Sequence, residues 1–177
     1  MTEGNETTIA LVAKALEMEE RGKAFYQDAL EKCSNPLGRD IFQKLKADED
    51  VHVARIKAIH ESLTGGHGWS DDWKTMGLDG GDVKQVFRDL AAKYQTEIHA
   101  STDDIQAVEM GMDFEQKAVD FYRAELERAT DAMEREFAEL MVQEERSHYS
   151  ALSDIKFYLE NPEAWFEQHE RSQLDGA

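Results

Sequence analysis

Cysteine is almost missing from this chain: Cys33 stands alone among 177 residues, which excludes an internal disulfide and any cysteine-rich metal knuckle. A single thiol fits a reducing compartment, and the cytoplasm is the expected location. Proline occurs only at Pro36 and Pro162. Because proline interrupts helices, its scarcity beside a 33% share of charged residues favours long helices over strands. No apolar run is long enough to cross a membrane, and residues 1–8 lack the basic cluster and apolar stretch of a secretory signal. Positive charge is short as well, 20 Lys and Arg against 38 Asp and Glu, for a formal charge of -18. That field repels phosphate backbones and anionic lipid, so nucleic acid and membrane surfaces are excluded as partners and cations become the natural ligands.

What is present is helical periodicity. Apolar residues recur at three- and four-residue spacing over residues 8–33 (Ile9, Val12, Leu16, Gly22, Tyr26, Leu30) and over residues 37–63 (Ile41, Phe42, Leu45, Val53, Ile56, Ile59), predicting two helices joined by a turn at Asn35 and Pro36. Gly65, Gly66 and Gly68 end the pattern. Residues 65–101 read as a crossover containing Trp69 and Trp73, with a further helix capped by Asp82 and reaching about His99. Ser101, Thr102, Asp103 and Asp104 place cap oxygens and negative charge at the start of a helix running to about Ala129. A last long helix spans residues 131–159, and residues 160–177 form a tail whose Trp165 and Phe166 are expected to pack back. The whole length, residues 1–177, reads as one domain. Its expected class is all-α, a four-helix bundle of two hairpins linked by one long crossover.

An internal repeat carries the chemistry. A shift of 96 residues superposes Leu16-Glu17-Met18-Glu19 on Met112-Asp113-Phe114-Glu115, Phe25-Tyr26 on Phe121-Tyr122, and Glu49-Asp50-Val51-His52 on Glu145-Arg146-Ser147-His148. Each hairpin therefore has one Glu on its first helix and a Glu-x-x-His on its second. Positions i and i+3 lie about 60° apart around a helix and one turn apart in height, so Glu and His can grip one ion. With 22 Glu and 6 His in the chain, about one such match arises by chance, whereas two at the repeat offset do not.

The neighbours of each acid are apolar: Val12, Leu16 and Gly22 for Glu19; Phe42, Leu45, Val53 and Ile56 for Glu49; Val108, Met112 and Val119 for Glu115; Ala138, Met141, Val142 and Leu152 for Glu145. Four carboxylates thus face one core, where they repel and lose solvation unless cations neutralise them. Oxygen ligands with imidazole suit two iron ions, with manganese or zinc as alternatives. Tyr26 and Tyr122, each seven residues beyond a ligand acid, either hydrogen-bond the ligands or serve as core aromatics. Asp48 and Glu144, directly before the ligand acids, either orient the His rings or lie on a solvated flank. His60, His67, His99 and His169 have no partner at ligand spacing and read as surface residues.

Through Ala15-Leu16-Glu17-Met18-Glu19, Asp48-Glu49-x-x-His52 and their second-half copies, the chain resembles the rubrerythrin-like branch of the ferritin-like superfamily. Asn161-Pro162-x-x-Trp165-Phe166 and Leu174-Asp175-Gly176 are also similar to the tails of its members. The resemblance implies a non-haem di-iron site in which Glu49 and Glu145 bridge, Glu19 and Glu115 are terminal, and His52 and His148 each bind one iron. It also implies reaction with hydrogen peroxide or dioxygen and, by analogy, a homodimer. Two features depart from that pattern. One cysteine cannot build the four-cysteine iron domain that rubrerythrins usually append, so a separate electron donor is expected. Ala118 stands where rubrerythrins carry an additional Glu, leaving six ligands, as in bacterioferritin. Ferroxidase-type iron storage, or iron and redox sensing without turnover, are the alternative functions.

Overall fold

A computed structural model describes residues 3–78, 82–94 and 100–174, with the side chains of residues 3–5 and 170–174 outside the description. Among the described residues six α-helices follow one another: α1 (Glu3–Lys32), α2 (Pro36–Thr64), α3 (Val83–Tyr94), α4 (Thr102–Arg128), α5 (Ala132–Glu160) and α6 (Pro162–Leu174). A short 3₁₀ turn, Asp72–Thr75, lies in the crossover, and no strand occurs among the described residues. The expected all-α class is borne out. The crossover helix anticipated to His99 is seen to Tyr94; residues 95–99 lie outside the described residues, as do residues 79–81 and the tail residues 175–177.

The helix boundaries follow from local chemistry. Asn35 accepts hydrogen bonds from the backbone N–H groups of Leu37 (2.9 Å) and Gly38 (3.2 Å), and Pro36 starts α2 at a position whose N–H would have no helical partner. Ser101 and Asp104 form a reciprocal capping box at α4, and Asp131 caps α5 through the N–H groups of Met133 and Glu134. Gly66 and Gly68 stop α2 by adopting φ of 79° and 80°, which side chains rarely tolerate.

α1 packs chiefly along α2, and α4 along α5; α3 lies against α2 and α5, and α6 against α5. The tail is therefore a helix, and it returns Trp165 to the core at 4% exposure with Phe166 packed beside it. The core has two parts. One gathers Tyr26, Phe42, Leu45, Phe87, Leu152 and Tyr158; the other gathers Val12, Ile56, Ile59, Trp73, Tyr122 and Phe137. Fully burying each large apolar side chain contributes about 1.5–3 kcal/mol. Along α1, α2, α4 and α5 the buried Glu19, Glu49, His52, Glu115, Glu145 and His148 fall between these two clusters, so a polar layer crosses the middle of the bundle.

Candidate metal centre

The six ligand candidates converge in that layer. Glu19, Glu49, His52, Glu115, Glu145 and His148 are each at most 1% exposed. His52 Nδ1 lies 3.4 Å from Glu19 Oε2, 3.6 Å from Glu49 Oε2 and 3.2 Å from Glu145 Oε1. His148 Nδ1 lies 3.6 Å from Glu115 Oε2 and 3.5 Å from Glu145 Oε2. The two imidazoles face each other, with ring centroids 5.6 Å apart. Two metal-competent groups result, Glu49 with Glu115, Glu145 and His148, and Glu19 with Glu49 and His52, each with ligand atoms within 4.8 Å of one another. Glu49 belongs to both, and Glu145 approaches both His rings.

Hydrogen bonding shows what this layer lacks. Glu19 Oε2, both oxygens of Glu49 and of Glu145, Glu115 Oε2 and the Nδ1 atoms of both His residues are buried without a hydrogen-bond partner. Native interiors leave few such groups, and charged ones cost several kcal/mol each. A cation between these atoms removes the deficit, so the residues present fit a metal centre.

The electrostatics of the metal-free layer show the same strain. Burial, and then the neighbouring Glu19 charge, push the Glu49 carboxyl well above the ordinary range. Burial and then Glu145 push Glu115 to about 8. Glu145 goes the other way: burial opposes its ionisation, yet the His52 charge and the close approach of both imidazoles hold it well below the usual carboxylate range. For the imidazoles, burial favours the neutral ring, but the Glu145 charge at His52 and the Glu115 charge at His148 outweigh it and raise both. Without metal, the layer gathers protons in place of cations.

Around the ligands stands a second set of partners. Tyr26 on α1 donates to Glu115 Oε1 on α4, and Tyr122 on α4 donates to Glu19 Oε1 on α1. Both Tyr residues thus reach the ligands across the bundle while also being core aromatics. His52 Nε2 donates to Glu144 Oε2 at 3.1 Å, and His148 Nε2 lies 3.4 Å from Asp48 Oδ2. Asp48 is 1% exposed and is paired with Lys44, so it sits behind His148 and not on a solvated flank. Glu144, half-buried, is held below the usual carboxylate range, burial opposing and hydrogen bonds from His52 and Arg55 prevailing.

Three contributors escaped the sequence reading. Arg55, 3% exposed, binds Glu144 through Nη1 and donates from Nε to the Met76 carbonyl at 2.7 Å, tying the crossover to His52. Lys44 was legible in principle, four residues before Asp48 on one helix face. Gly22 was read only as part of an apolar stripe, yet a Cβ there would meet Phe114 Cε1 at 2.6 Å and Glu49 Cδ at 3.3 Å. Of the remaining histidines, His67 is exposed, His60 and His169 are half-buried, and His99 lies outside the described residues.

The rubrerythrin family model matches residues 10–156, a span containing all six ligand candidates. The chain belongs to the rubrerythrin family. No curated protein and no solved structure matches it. Within this rubrerythrin-family bundle Ala118 is 1% exposed on α4, one turn beyond Glu115. No helix among the described residues is long and apolar enough to cross a membrane.

Proposed function

We propose that this rubrerythrin-family chain is a non-haem di-iron oxidoreductase that reduces hydrogen peroxide or dioxygen with electrons from a separate donor. The observation that supports this reading is the convergence of six carboxylate oxygens and two imidazole Nδ1 atoms, buried and without hydrogen-bond partners, from four Glu and two His side chains. Carboxylate oxygen combined with imidazole nitrogen suits iron, with manganese and zinc as neighbours in preference. In keeping with the family resemblance, Glu49 and Glu145 would be shared between two ions, Glu19 and Glu115 would be terminal ligands, and His52 and His148 would each hold one ion. When bound, two ferrous ions supply one electron each to the oxidant.

The chain's own residues set the conditions. Tyr26 and Tyr122 each engage one oxygen of a terminal carboxylate and leave the other turned toward the centre. Glu144 accepts a hydrogen bond from His52 Nε2 and fixes that ring with Nδ1 toward the centre, and Asp48 lies 3.4 Å behind His148 Nε2 as its counterpart. The apolar clusters on either side exclude water from the layer. The lone thiol Cys33 fits action in the reducing cytoplasm.

The test is the metal content of protein purified without added metal, then anaerobic ferrous titration and stopped-flow mixing with peroxide or dioxygen. Uptake of about two irons per chain with faster reaction toward peroxide supports peroxide reduction, and Glu145→Ala abolishes both loading and oxidation. No tight iron binding overturns the proposal. Ala118 favours a second reading, iron oxidation by a six-ligand site, for which dioxygen is the faster oxidant and ferric iron accumulates.

A further inference from the structure

Tyr122 is the inner end of a row of aromatic rings. Its ring centroid lies 6.3 Å from that of Phe137, which in turn lies 5.3 Å from Trp73 and 6.1 Å from Trp69. Trp73 is 3% exposed within the second core cluster, whereas Trp69 is half-buried at its edge. Trp69, Phe137 and Tyr122 also line one small cavity of about 30 Å³. The inner end is bonded to the metal centre itself, because the Tyr122 hydroxyl donates to Glu19.

Tryptophan and tyrosine are the side chains most readily oxidised by one electron, and tunnelling through protein falls steeply with distance. We propose that Trp69, Trp73, Phe137 and Tyr122 form a single-electron relay between the surface of the crossover and the Glu19 side of the metal centre. The relay rests on the di-iron reading and adds to it the route by which electrons reach the site. Phe137 is the packed bridge between oxidisable rings, not a carrier.

The local chemistry assigns a role to each carrier. Tyr122 can lose an electron without stranding its proton, which shifts along the existing hydrogen bond to Glu19 and returns when the phenol is refilled. Trp73 Nε1 is buried without a hydrogen-bond partner, so an oxidised indole there keeps its proton and its positive charge. The Lys74 ammonium 5.5 Å from the ring centroid disfavours that charge, making Trp73 a transit position. In balance, each hydrogen peroxide takes two electrons and two solvent protons to give two waters; the first draws its electrons from the two ferrous ions, and each later one draws them through Tyr122. Each electron that leaves Tyr122 is replaced from an indole, and the indole is restored by a one-electron donor at the surface near Trp69.

The repeat does not provide the same route twice. Tyr26, the counterpart of Tyr122, has ring contacts with Phe25 and Phe42, and Phe25 continues to Phe114. These are phenylalanines, which are not oxidised under the same conditions. Among the described residues the tryptophan-bearing row leaves one half of the centre only.

The test uses the full chain loaded with ferrous iron, mixed with an excess of hydrogen peroxide over the ferrous pair in the absence of donor, freeze-quenched for electron paramagnetic resonance and digested for peptide mass spectrometry. A tyrosyl signal that disappears in Tyr122→Phe and persists in Tyr26→Phe, with oxygen adducts concentrated on Trp69 and Trp73, is the expected result. Phe137→Leu keeps the Tyr122–Glu19 hydrogen bond; it is expected to retain the tyrosyl signal and to lose most tryptophan adducts. Iron content and peroxide consumption are read on the same samples. Iron-loaded, peroxide-consuming protein with an unchanged radical in Tyr122→Phe, or with Trp69 and Trp73 unmodified, overturns the relay alone. Protein that binds no iron overturns the di-iron reading and the relay with it.

Discussion

Tyr122, on the first helix of the second hairpin, donates its phenolic hydrogen bond to Glu19 on the first helix of the first hairpin. The contact satisfies one oxygen of a carboxylate whose other oxygen has no partner. Tyr122→Phe leaves both oxygens of a buried acid unsatisfied, and a loss of about 1–3 kcal/mol of stability is expected in the metal-free protein. Urea unfolding followed by circular dichroism measures it; an unchanged midpoint would show that the contact contributes nothing.

Glu49→Gln is predicted to move stability and metal affinity in opposite directions. Burial and the Glu19 charge already disfavour the Glu49 carboxylate, so a neutral amide of the same shape spares the metal-free protein the cost of protonating that group on folding and raises its melting temperature in chelator. The same change removes a ligand shared by both metal-competent groups and weakens iron binding at least about tenfold. Melting scans with chelator and a ferrous titration form the pair of measurements. A lower melting temperature in chelator contradicts the assignment of Glu49 as a frustrated charge.

Arg55 is the buried cation on which Glu144 depends. Arg55→Ala strands that half-buried carboxylate and costs about 3 kcal/mol, and it frees the Met76 carbonyl from its guanidinium partner. Faster proteolysis within the crossover is therefore expected together with lower stability, and Arg55→Lys restores only part of either. Cleavage kinetics equal to those of the unsubstituted chain would sink the proposed tie.

Gly22→Ala tests a close approach. Alanine gains about 1 kcal/mol in helix propensity, but its Cβ would stand 2.6 Å from a Phe114 ring carbon, and such overpacking costs about 1–3 kcal/mol. A net loss is expected, reversed in sign when Phe114→Leu makes room. Thermal unfolding of the four combinations measures the coupling; additive effects would mean that the two positions do not meet.

Burial, followed by the hydrogen bond to Asp104, pushes the Cys33 thiol from 9.0 to about 12. At pH 8 iodoacetamide is expected to modify the folded protein far more slowly than protein in guanidinium. The folded state holds the thiol proton more tightly than the unfolded state does. Its contribution to stability is therefore complete below the unfolded value and is lost as pH rises toward 12. Cys33→Ala flattens that alkaline decline, and an identical decline in the variant would assign it to other groups.

The helices and the six convergent side chains were legible because each rests on a periodic signal: apolar spacing marks the buried faces, and the 96-residue shift pairs the two Glu-x-x-His motifs. Arg55 and Glu144 are 89 residues apart and share no helix, so nothing in spacing joins them; only the packing of α2 against α5 does. The row from Trp69 to Tyr122 is hidden for the same reason, since the crossover lacks a period of its own. The first helix is already formed at Glu3, ahead of the first apolar residue used to place it, because polar residues extend a helix without marking a face. The tail was legible as apolar anchors but not as a helix, although Pro162 occupies a favourable first-turn position.

The reciprocal hydrogen bonds, Tyr26 to Glu115 and Tyr122 to Glu19, give the duplication an evolutionary consequence. A change to the phenol of one hairpin damages a carboxylate of the other, so the two halves cannot diverge independently at these positions. Away from these bonds, divergence is free: Lys44 aligns with Leu140 and Arg55 with Ala151. The duplicated bundle thus keeps one inherited symmetry where the halves exchange hydrogen bonds, and becomes individual in the charges behind its two imidazoles.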